Sequence, residues 1–233
     1  MKRKIRLLIV EDEPAILNGL MDLFVFHGYE VDSADNGDVG LDKALSGHYD
    51  LILLDIMLPG VNGYTICERV RQQDRDQPII MLTAKSADED VIRGLSLGAD
   101  DYVAKPFSVA QLVLRVEAVL RRSKPLAAMA EVISIGDDIE LDSRNLSGHR
   151  GGTTFTFTLR EMEIIQYLDA NAERPVSREE LLTRVWGYAK NLELETRTVD
   201  IHIAKIRRKI EPDPAQPQYL TTVRGRGYRL LSS

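Results

Sequence analysis

The first 122 residues alternate short apolar runs with amphipathic stretches, and this alternation limits the possible folds more than any other feature of the chain. Five apolar runs have the length of buried β-strands, and they lie at 5–10, 29–34, 51–54, 79–82 and 102–104. The strand signal of the second run is weaker than that of the others. Five stretches show the three- and four-residue spacing of helices; they lie at 14–27, 37–45, 64–72, 88–97 and 109–122. Five βα units in succession predict an α/β domain with a doubly wound parallel sheet.

The pattern changes after residue 122. Ser123, Lys124 and Pro125 begin a stretch of small residues, which indicates a linker over 123–131. Beyond it, turn residues separate four short strands, which are predicted at 132–135, 139–141, 146–147 and 153–158. The chain is therefore divided into a domain over 1–122, the linker, and a second domain over 132–233.

The second domain also contains helix signals, so it is predicted to be α+β. Thr158 and Ser177 each stand three residues before a Glu, an arrangement typical of the start of a helix. The predicted helices and the closing β-hairpin lie at 158–170, 181–186, 195–210 and 221–230.

Polar residues follow four of the strands predicted in the first domain. Glu11 and Asp12 follow the first, Asp55 the third, Thr83 the fourth and Lys105 the fifth. The carboxyl ends of parallel strands meet at one crevice, so these side chains should lie together. Three carboxylates repel one another unless a cation lies among them, and oxygen ligands suit Mg²⁺.

Each of these residues alone is more often a helix cap or a turn residue. Together they indicate phosphoryl transfer, with Asp55 as nucleophile, Lys105 neutralising charge and Thr83 donating a hydroxyl hydrogen bond.

The same residues resemble the receiver domain of two-component response regulators, which has a flavodoxin-like fold. The resemblance is carried by Glu11-Asp12, Asp55 in LLDIMLPGVNG, Thr83-Ala84 and Lys105-Pro106-Phe107. It implies that Asp55 accepts a phosphoryl group from a sensor histidine kinase. It also implies that Asp12, Asp55 and the Met57 carbonyl bind Mg²⁺ with help from Glu11. The implied switch moves Thr83 toward the phosphate and turns Tyr102 inward.

A basic segment near the C-terminus differs from the acidic average of the chain. The net charge is −6, and residues 1–122 hold 14 Lys and Arg against 20 Asp and Glu, whereas 197–229 holds 8 against 3. The helix in this segment has an apolar stripe at Val199, Ile203, Ile206 and Ile210. Its other side is predicted to present Arg197, Thr198, His202, Lys205 and Arg208. Such a helix can enter the major groove of DNA, although a basic face alone is more often only solvated.

Four motifs of the second domain resemble the winged-helix effector domain of the OmpR/PhoB class. They are TLRE at 158–161, SREELLTRVWGY at 177–188, TRTVDIHIAKIRRKI at 196–210 and VRGRGYRL at 223–230. The resemblance implies a four-stranded platform, a helix over 197–209 in the major groove, and a wing carrying Arg224 toward the minor groove. Arg226 is a candidate phosphate contact, and Trp186 is expected in the core or anchoring a loop. Tandem DNA half-sites and RNA polymerase are the implied partners.

Active receivers of this class form homodimers through their last two helices and the strand between them. Contacts are therefore expected at Val91, Leu95, Asp101, Leu114 and Arg115. Asp101 and Arg115 suit an exchanged salt bridge, but two other pairs lack opposite charges, namely Val91 with Gln111 and Asp100 with Glu117. We expect a symmetric, phosphorylation-driven dimer that is weaker, or relies more on apolar contacts, than the dimers of receivers with all three charge pairs.

Two other functions fit the residues less well. A phosphatase usually carries a second Asp two residues after its nucleophile, where Met57 stands here. A regulator that binds DNA without phosphorylation would be indicated by the loss of one of the pocket acids or of Lys105, and the sequence keeps all of them. A single cysteine and the lack of an apolar run near 18 residues indicate a cytoplasmic protein without a membrane span. The chain is thus expected to be a transcription regulator and not an enzyme, with self-hydrolysis of its aspartyl phosphate serving as signal decay.

Overall fold

The computed structural model describes residues 3–84, 97–121, 131–188 and 197–231. The chain forms two compact units, Met1–Leu120 and Arg121–Ser233, and each is described by itself. Among the described residues, no helix has the length and apolar character that a membrane crossing needs. The helix predicted at 88–97 lies almost wholly outside the described residues.

The first unit contains one parallel five-stranded sheet with helices between its strands. Its strands are β1 Arg6–Val10, β2 Glu30–Ala34, β3 Leu51–Asp55, β4 Ile79–Ala84 and β5 Asp101–Lys105. The described helices are α1 Pro14–Phe26, α2 Gly37–Ser46, α3 Gly63–Gln73 and α4 Val109–Leu120. The strand order is β2-β1-β3-β4-β5, which is the flavodoxin-like order. The predicted doubly wound fold is confirmed.

Burial explains which strands the sequence shows clearly. Every residue of β3 is buried, and β1 is buried after its first residue, so both are continuous apolar runs. The edge strand β2 buries only Ala34 fully, which accounts for its weaker signal. Helix α1 packs Leu17, Leu20 and Phe24 into the core, and α4 contributes a broader apolar face.

The second unit begins with an antiparallel sheet of four strands in sequence order. They are β6 Val132–Ile135, β7 Ile139–Asp142, β8 Ser147–Arg150 and β9 Thr153–Thr156. The strand predicted at 146–147 begins one residue later, because Leu146 has a φ of 48° and belongs to the turn. The implied four-stranded platform is present.

Three helices and a hairpin complete the second unit. They are α5 Leu159–Asp169, α6 Arg178–Arg184, α7 Arg197–Ile210, β10 Leu220–Val223 and β11 Gly227–Leu230. Thr158 and Glu161 form the predicted capping box at the start of α5. Ser177 caps α6, which begins and ends earlier than predicted. Trp186 is fully buried after α6, in agreement with its expected place in the core.

Candidate functional site

The three acids predicted to meet at the carboxyl edge of the parallel sheet do lie together. Glu11 and Asp12 follow β1 and Asp55 ends β3, and one carboxylate oxygen from each lies within 4.8 Å of the others. Glu11 is fully buried and Asp55 is 3% exposed. The pairing of Val10 with Leu54 brings the ends of the two strands level, which accounts for this convergence.

Lys105 joins two of these acids from the end of β5. Its Nζ lies 2.7 Å from Oδ2 of Asp55 and 2.9 Å from Oε1 of Glu11. Exposed Glu13 adds a longer contact, at 3.6 Å. The acids stabilise the ammonium, so the pKa of Lys105 is raised despite its burial. One cation therefore balances two buried carboxylates, which leaves the cluster negative.

The loop after β3 fixes the orientation of Asp55. Its Oδ1 accepts hydrogen bonds from the backbone N–H groups of Ile56 at 2.6 Å and Met57 at 3.3 Å. Gly63 allows the loop to return close to β3, because a Cβ at this position would lie 2.1 Å from the carbonyl oxygen of Asp55. The carboxylate is held with Oδ2 toward Lys105. The Met57 side chain is exposed, which leaves only its backbone beside the acid.

The chemistry of the cluster fits a divalent cation. Burial, followed by the charge of Asp55, raises the pKa of Glu11 to about 7 despite its contact with Lys105. Oε2 of Glu11 is buried and has no hydrogen-bond partner among the described residues, although the ammonium lies 2.8 Å away. Hard oxygen donors with surplus negative charge match the ligand preference of Mg²⁺. Glu11, Asp12 and Asp55 could hold such an ion.

The two predicted switch residues lie on neighbouring strands of the same sheet. Thr83 is 2% exposed near the end of β4, and Tyr102 is 5% exposed on β5. Thr83 stands opposite Ala104 in the register, one residue before the level of Lys105. The side chain of Tyr102 is thus in the interior in this structure.

The residues predicted to form the dimer contacts have different environments. Asp101 and Arg115 are both buried and bonded to each other within the chain, with 2.6 Å between Nη1 and Oδ2. Leu114 is 36% exposed on α4, and Val91 and Leu95 lie outside the described residues. Asp100 is also buried and bonded within the chain, to Arg71 at 2.9 Å, so its lack of an opposite charge across a dimer stays a prediction.

Helix α7 of the second unit buries more polar residues than its sequence pattern indicates. Thr198 is 1% exposed, His202 is 0% and Lys205 is 6%. The prediction that these three side chains lie on the outward side of the helix is therefore wrong. Arg208 is exposed as predicted, and the side chain of Arg197 lies outside the described residues.

A fully buried carboxylate explains the inward position of Lys205. Oε1 of Glu161, on α5, lies 2.9 Å from Nζ of Lys205, and Oε2 contacts Lys209 one helical turn further along. Burial opposes ionisation of Glu161, but the two lysines outweigh it and lower its pKa to about 2. The ion pairs hold α7 against α5, so these lysines serve packing.

His202 is also a packing residue. Its Nδ1 lies 2.8 Å from the carbonyl oxygen of Thr198, which can only accept, so Nδ1 carries the proton of the neutral ring. The ring meets Trp186 edge-on with 5.3 Å between centroids. Burial, followed by the charge of Lys205, lowers the pKa of His202 to about 4. The imidazole is therefore neutral in the folded domain near neutral pH.

The hairpin presents the remaining predicted DNA contacts. Arg224 and Arg226 are exposed in and beside the turn between β10 and β11, where Gly225 has a φ of 72°. Two other arginines, which were not among the predicted contacts, are bonded within this unit. Arg207 on α7 donates to Oγ1 of Thr222, and Arg178 at the start of α6 donates to Asp200. The sequence feature that could have pointed to them is that both lie in motifs quoted above, SREELLTRVWGY for Arg178 and TRTVDIHIAKIRRKI for Arg207.

Two protein families match the chain. The response regulator receiver domain matches residues 7–117, and the family described as transcriptional regulatory protein, C terminal, matches residues 152–230. The Response regulator ArlR of Staphylococcus haemolyticus is 43% identical over 223 residues, covering 95% of this chain and 97% of that protein. The Sensory transduction protein RegX3 of Mycobacterium tuberculosis is 38% identical over 224 residues, covering 96% and 97%.

Solved structures similar to this chain include full-length proteins. The response regulator DrrB, described as an OmpR/PhoB homologue of Thermotoga maritima, is 31% identical with a TM-score of 0.52, covering 98% of this chain and 99% of that one. A RitR mutant is 26% identical with a TM-score of 0.73, covering 98% and 100%. Both similarities extend through the two units.

Proposed function

We propose that phosphorylation of Asp55 controls DNA binding by this chain, which belongs to the two-component response regulators of the OmpR/PhoB class. Members of this class have a receiver followed by a DNA-binding effector domain. A sensor histidine kinase is the phosphoryl donor. The observation that supports Asp55 is its buried carboxylate, fixed by two backbone N–H groups and lying 2.7 Å from the Lys105 ammonium.

Each residue of the pocket has a role in this proposal. Asp55 attacks the phosphorus atom through Oδ2, because both backbone hydrogen bonds from the loop go to Oδ1, and the bond from phosphorus to the kinase's histidine nitrogen breaks. Lys105 neutralises charge on the transferred oxygens, and Thr83 donates a hydroxyl hydrogen bond to one of them. Mg²⁺, when bound by Glu11, Asp12, Asp55 and the Met57 carbonyl, supplies further charge neutralisation. Self-hydrolysis of the aspartyl phosphate ends the signal.

The phosphoryl group acts on the rest of the receiver through Thr83 and Tyr102. Movement of Thr83 toward the phosphate leaves space that the inward side chain of Tyr102 fills. Together these two movements shift the receiver toward a form able to dimerise. The buried position of Tyr102 supports this part of the proposal. The dimer relies on Leu114 together with Val91 and Leu95.

Two effector domains joined in this way bind two DNA half-sites with avidity. The half-sites are a tandem repeat about one helical turn apart. The exposed arginines that support this interface are Arg208, Arg224 and Arg226, with Arg197 at the start of the helix. Thr198, His202 and Lys205 are not retained as DNA contacts because they are buried. We propose that the regulator works in the cytoplasm with RNA polymerase, with domains over 1–122 and 132–233 joined by 123–131.

Acetyl-phosphate labelling with Mg²⁺, followed on a phosphate-affinity gel, tests the acceptor. Wild type and an Asp22→Asn control, altered at an exposed acid of α1, are expected to shift, whereas Asp55→Asn is not. Chelation with EDTA should abolish the shift of the wild type and of the Asp22→Asn control. A shift that persists in Asp55→Asn would assign the phosphoryl group to another residue. No shift in wild type would favour a regulator independent of phosphorylation.

A further inference from the structure

Three side chains from three elements of the effector domain are hydrogen-bonded to one another, and a fourth, Arg207, lies against the ring of one of them. We call Arg178 of α6, Asp200 and Arg207 of α7 and Tyr228 of β11 the arginine cluster. Arg178 donates from Nε to Oδ1 of Asp200 at 2.6 Å and from Nη2 to the Tyr228 hydroxyl at 2.8 Å. That hydroxyl in turn donates to Oδ1 of Asp200 at 2.6 Å. Each bond reinforces the other two, so the Arg178 guanidinium has a fixed orientation.

The Tyr228 ring also supports this orientation, because the guanidinium of Arg178 lies over the face of the ring. The guanidinium carbon of Arg178 lies 4.8 Å from the ring centroid and that of Arg207 lies 5.8 Å away. The backbone of Tyr228 is bonded in both directions to Val176, at 2.8 and 2.9 Å. Gly227 permits this close approach, because a Cβ there would lie 1.9 Å from the Val176 carbonyl oxygen. The ring is therefore a rigid base for both arginines.

The cluster reaches the surface that carries the proposed DNA contacts. The side chain of Arg178 is 32% exposed and that of Asp200 is 44% exposed. Asp200 is on the same helix as exposed Arg208, and Arg207 donates to Thr222 in the hairpin that carries Arg224. Two arginines against one aspartate leave the cluster cationic. Nη1 of Arg178 makes no hydrogen bond to any described residue.

We propose that Arg178 is an anchor for a DNA phosphate and that Asp200 and Tyr228 are its positioning residues. This inference rests on the proposed DNA-binding function. Arginine contacts to phosphate fix the register of a protein on DNA without reading its sequence. A long side chain normally loses rotamer freedom when it binds. The cluster has already restricted Arg178, so less ordering remains to be done on binding. The ion pair with Arg178 offsets the charge of Asp200, which reduces the repulsion between Asp200 and a phosphate.

The test measures binding of the full chain to a random-sequence 30-base-pair duplex by fluorescence anisotropy, at several salt concentrations. Arg178→Gln keeps a polar side chain but removes the charge. Loss of one phosphate contact makes the log–log salt slope shallower by about 0.9. The affinity deficit should therefore be about 3.5-fold larger at 50 mM than at 200 mM salt. Arg144→Ala, at an exposed arginine beside Glu131 of the four-stranded sheet region, is the matched control and should bind like wild type.

Tyr228→Phe separates positioning from folding. It removes only the hydroxyl, so the charge of Arg178 stays while its orientation is released. We expect affinity to fall about threefold with the salt slope unchanged. Fluorescence of the single tryptophan, Trp186, which is buried in this domain, shows that each variant is folded at the assay temperature.

Three outcomes distinguish the hypotheses. An Arg178→Gln protein with wild-type affinity and slope would overturn the anchor, while the proposed function would stand. A shallower slope in Arg178→Gln with no effect of Tyr228→Phe would keep the anchor and overturn the positioning role. Failure of the wild type to bind any duplex, phosphorylated or not, would instead contradict the proposed function itself.

Discussion

Arg115 donates a hydrogen bond from Nη1 to Oδ2 of Asp101, 2.6 Å away in the same chain. The sequence suggested that this pair would be exchanged between two receivers. Both side chains are instead nearly buried within one receiver, with exposed fractions of 10% and 0%. The pair therefore stabilises the monomer, whatever it contributes when a dimer forms.

Replacement of Asp101 by Asn should destabilise the unphosphorylated receiver. The change leaves the Arg115 charge buried without its partner, and such a loss typically costs about 3 kcal/mol or more of unfolding free energy. Urea unfolding followed by far-UV circular dichroism measures it, with Gln111→Ala, an exposed position on the same helix, as the control. Unchanged stability together with a lost dimer in sedimentation would show that the pair acts only between subunits.

Glu161 should make the effector domain sensitive to strong acid. Its pKa is about 2 in the folded state against 4.5 in the unfolded chain, so the unfolded chain binds the proton first as pH falls. The contribution of Glu161 to the unfolding free energy is complete above pH 4.5 and falls by about 3 kcal/mol by pH 2. Trp186 fluorescence during denaturant unfolding at each pH measures this loss, and Glu161→Gln should remove most of it.

Glu180 provides a comparison for that experiment. Its pKa is also lowered to about 2, by a hydrogen bond from Arg174 at a partly exposed site. Salt screens a solvated pair much more than a buried one. At 0.5 M salt the acid sensitivity due to Glu180 should fade while that due to Glu161 remains. Equal fading would contradict the buried character of the Glu161 cluster.

His202 should cause a second loss of stability at milder pH. Its pKa is about 4 when folded and 6.5 when unfolded, so the unfolded chain takes up the proton first as pH falls below 6.5. Stability should decrease by about 3 kcal/mol between pH 6.5 and 4. His202→Gln should flatten this part of the profile, and His149→Gln, at an exposed position, should not. A profile that His202→Gln leaves unaltered would indicate that the ring is protonated in the folded domain.

The receiver pocket could be predicted from sequence because topology alone assembles it. Once the strands are parallel, residues after their carboxyl ends must meet, and Asp55 and Lys105 do. The outward side of α7 could not be predicted in the same way. An apolar stripe identifies the buried centre of a helix face, but it does not show whether polar residues beside the stripe are covered. Lys205 is buried because a carboxylate on another helix, Glu161, pairs with it.

Arg224 should contribute to DNA binding through its charge. It is exposed beside the turn of the hairpin, where no carboxylate of the described residues forms an ion pair with it. Arg224→Ala should therefore weaken binding to any duplex and make the salt slope shallower by about 0.9, the effect of one phosphate lost.

Competition between A·T-rich and G·C-rich duplexes separates a backbone contact from a groove contact, since an arginine in a narrow minor groove favours A·T sequences. Loss of that preference in the variant would assign Arg224 to the minor groove, whereas an equal loss on both duplexes would assign it to the phosphates. Full affinity in the variant would mean that the hairpin does not contact DNA through this residue.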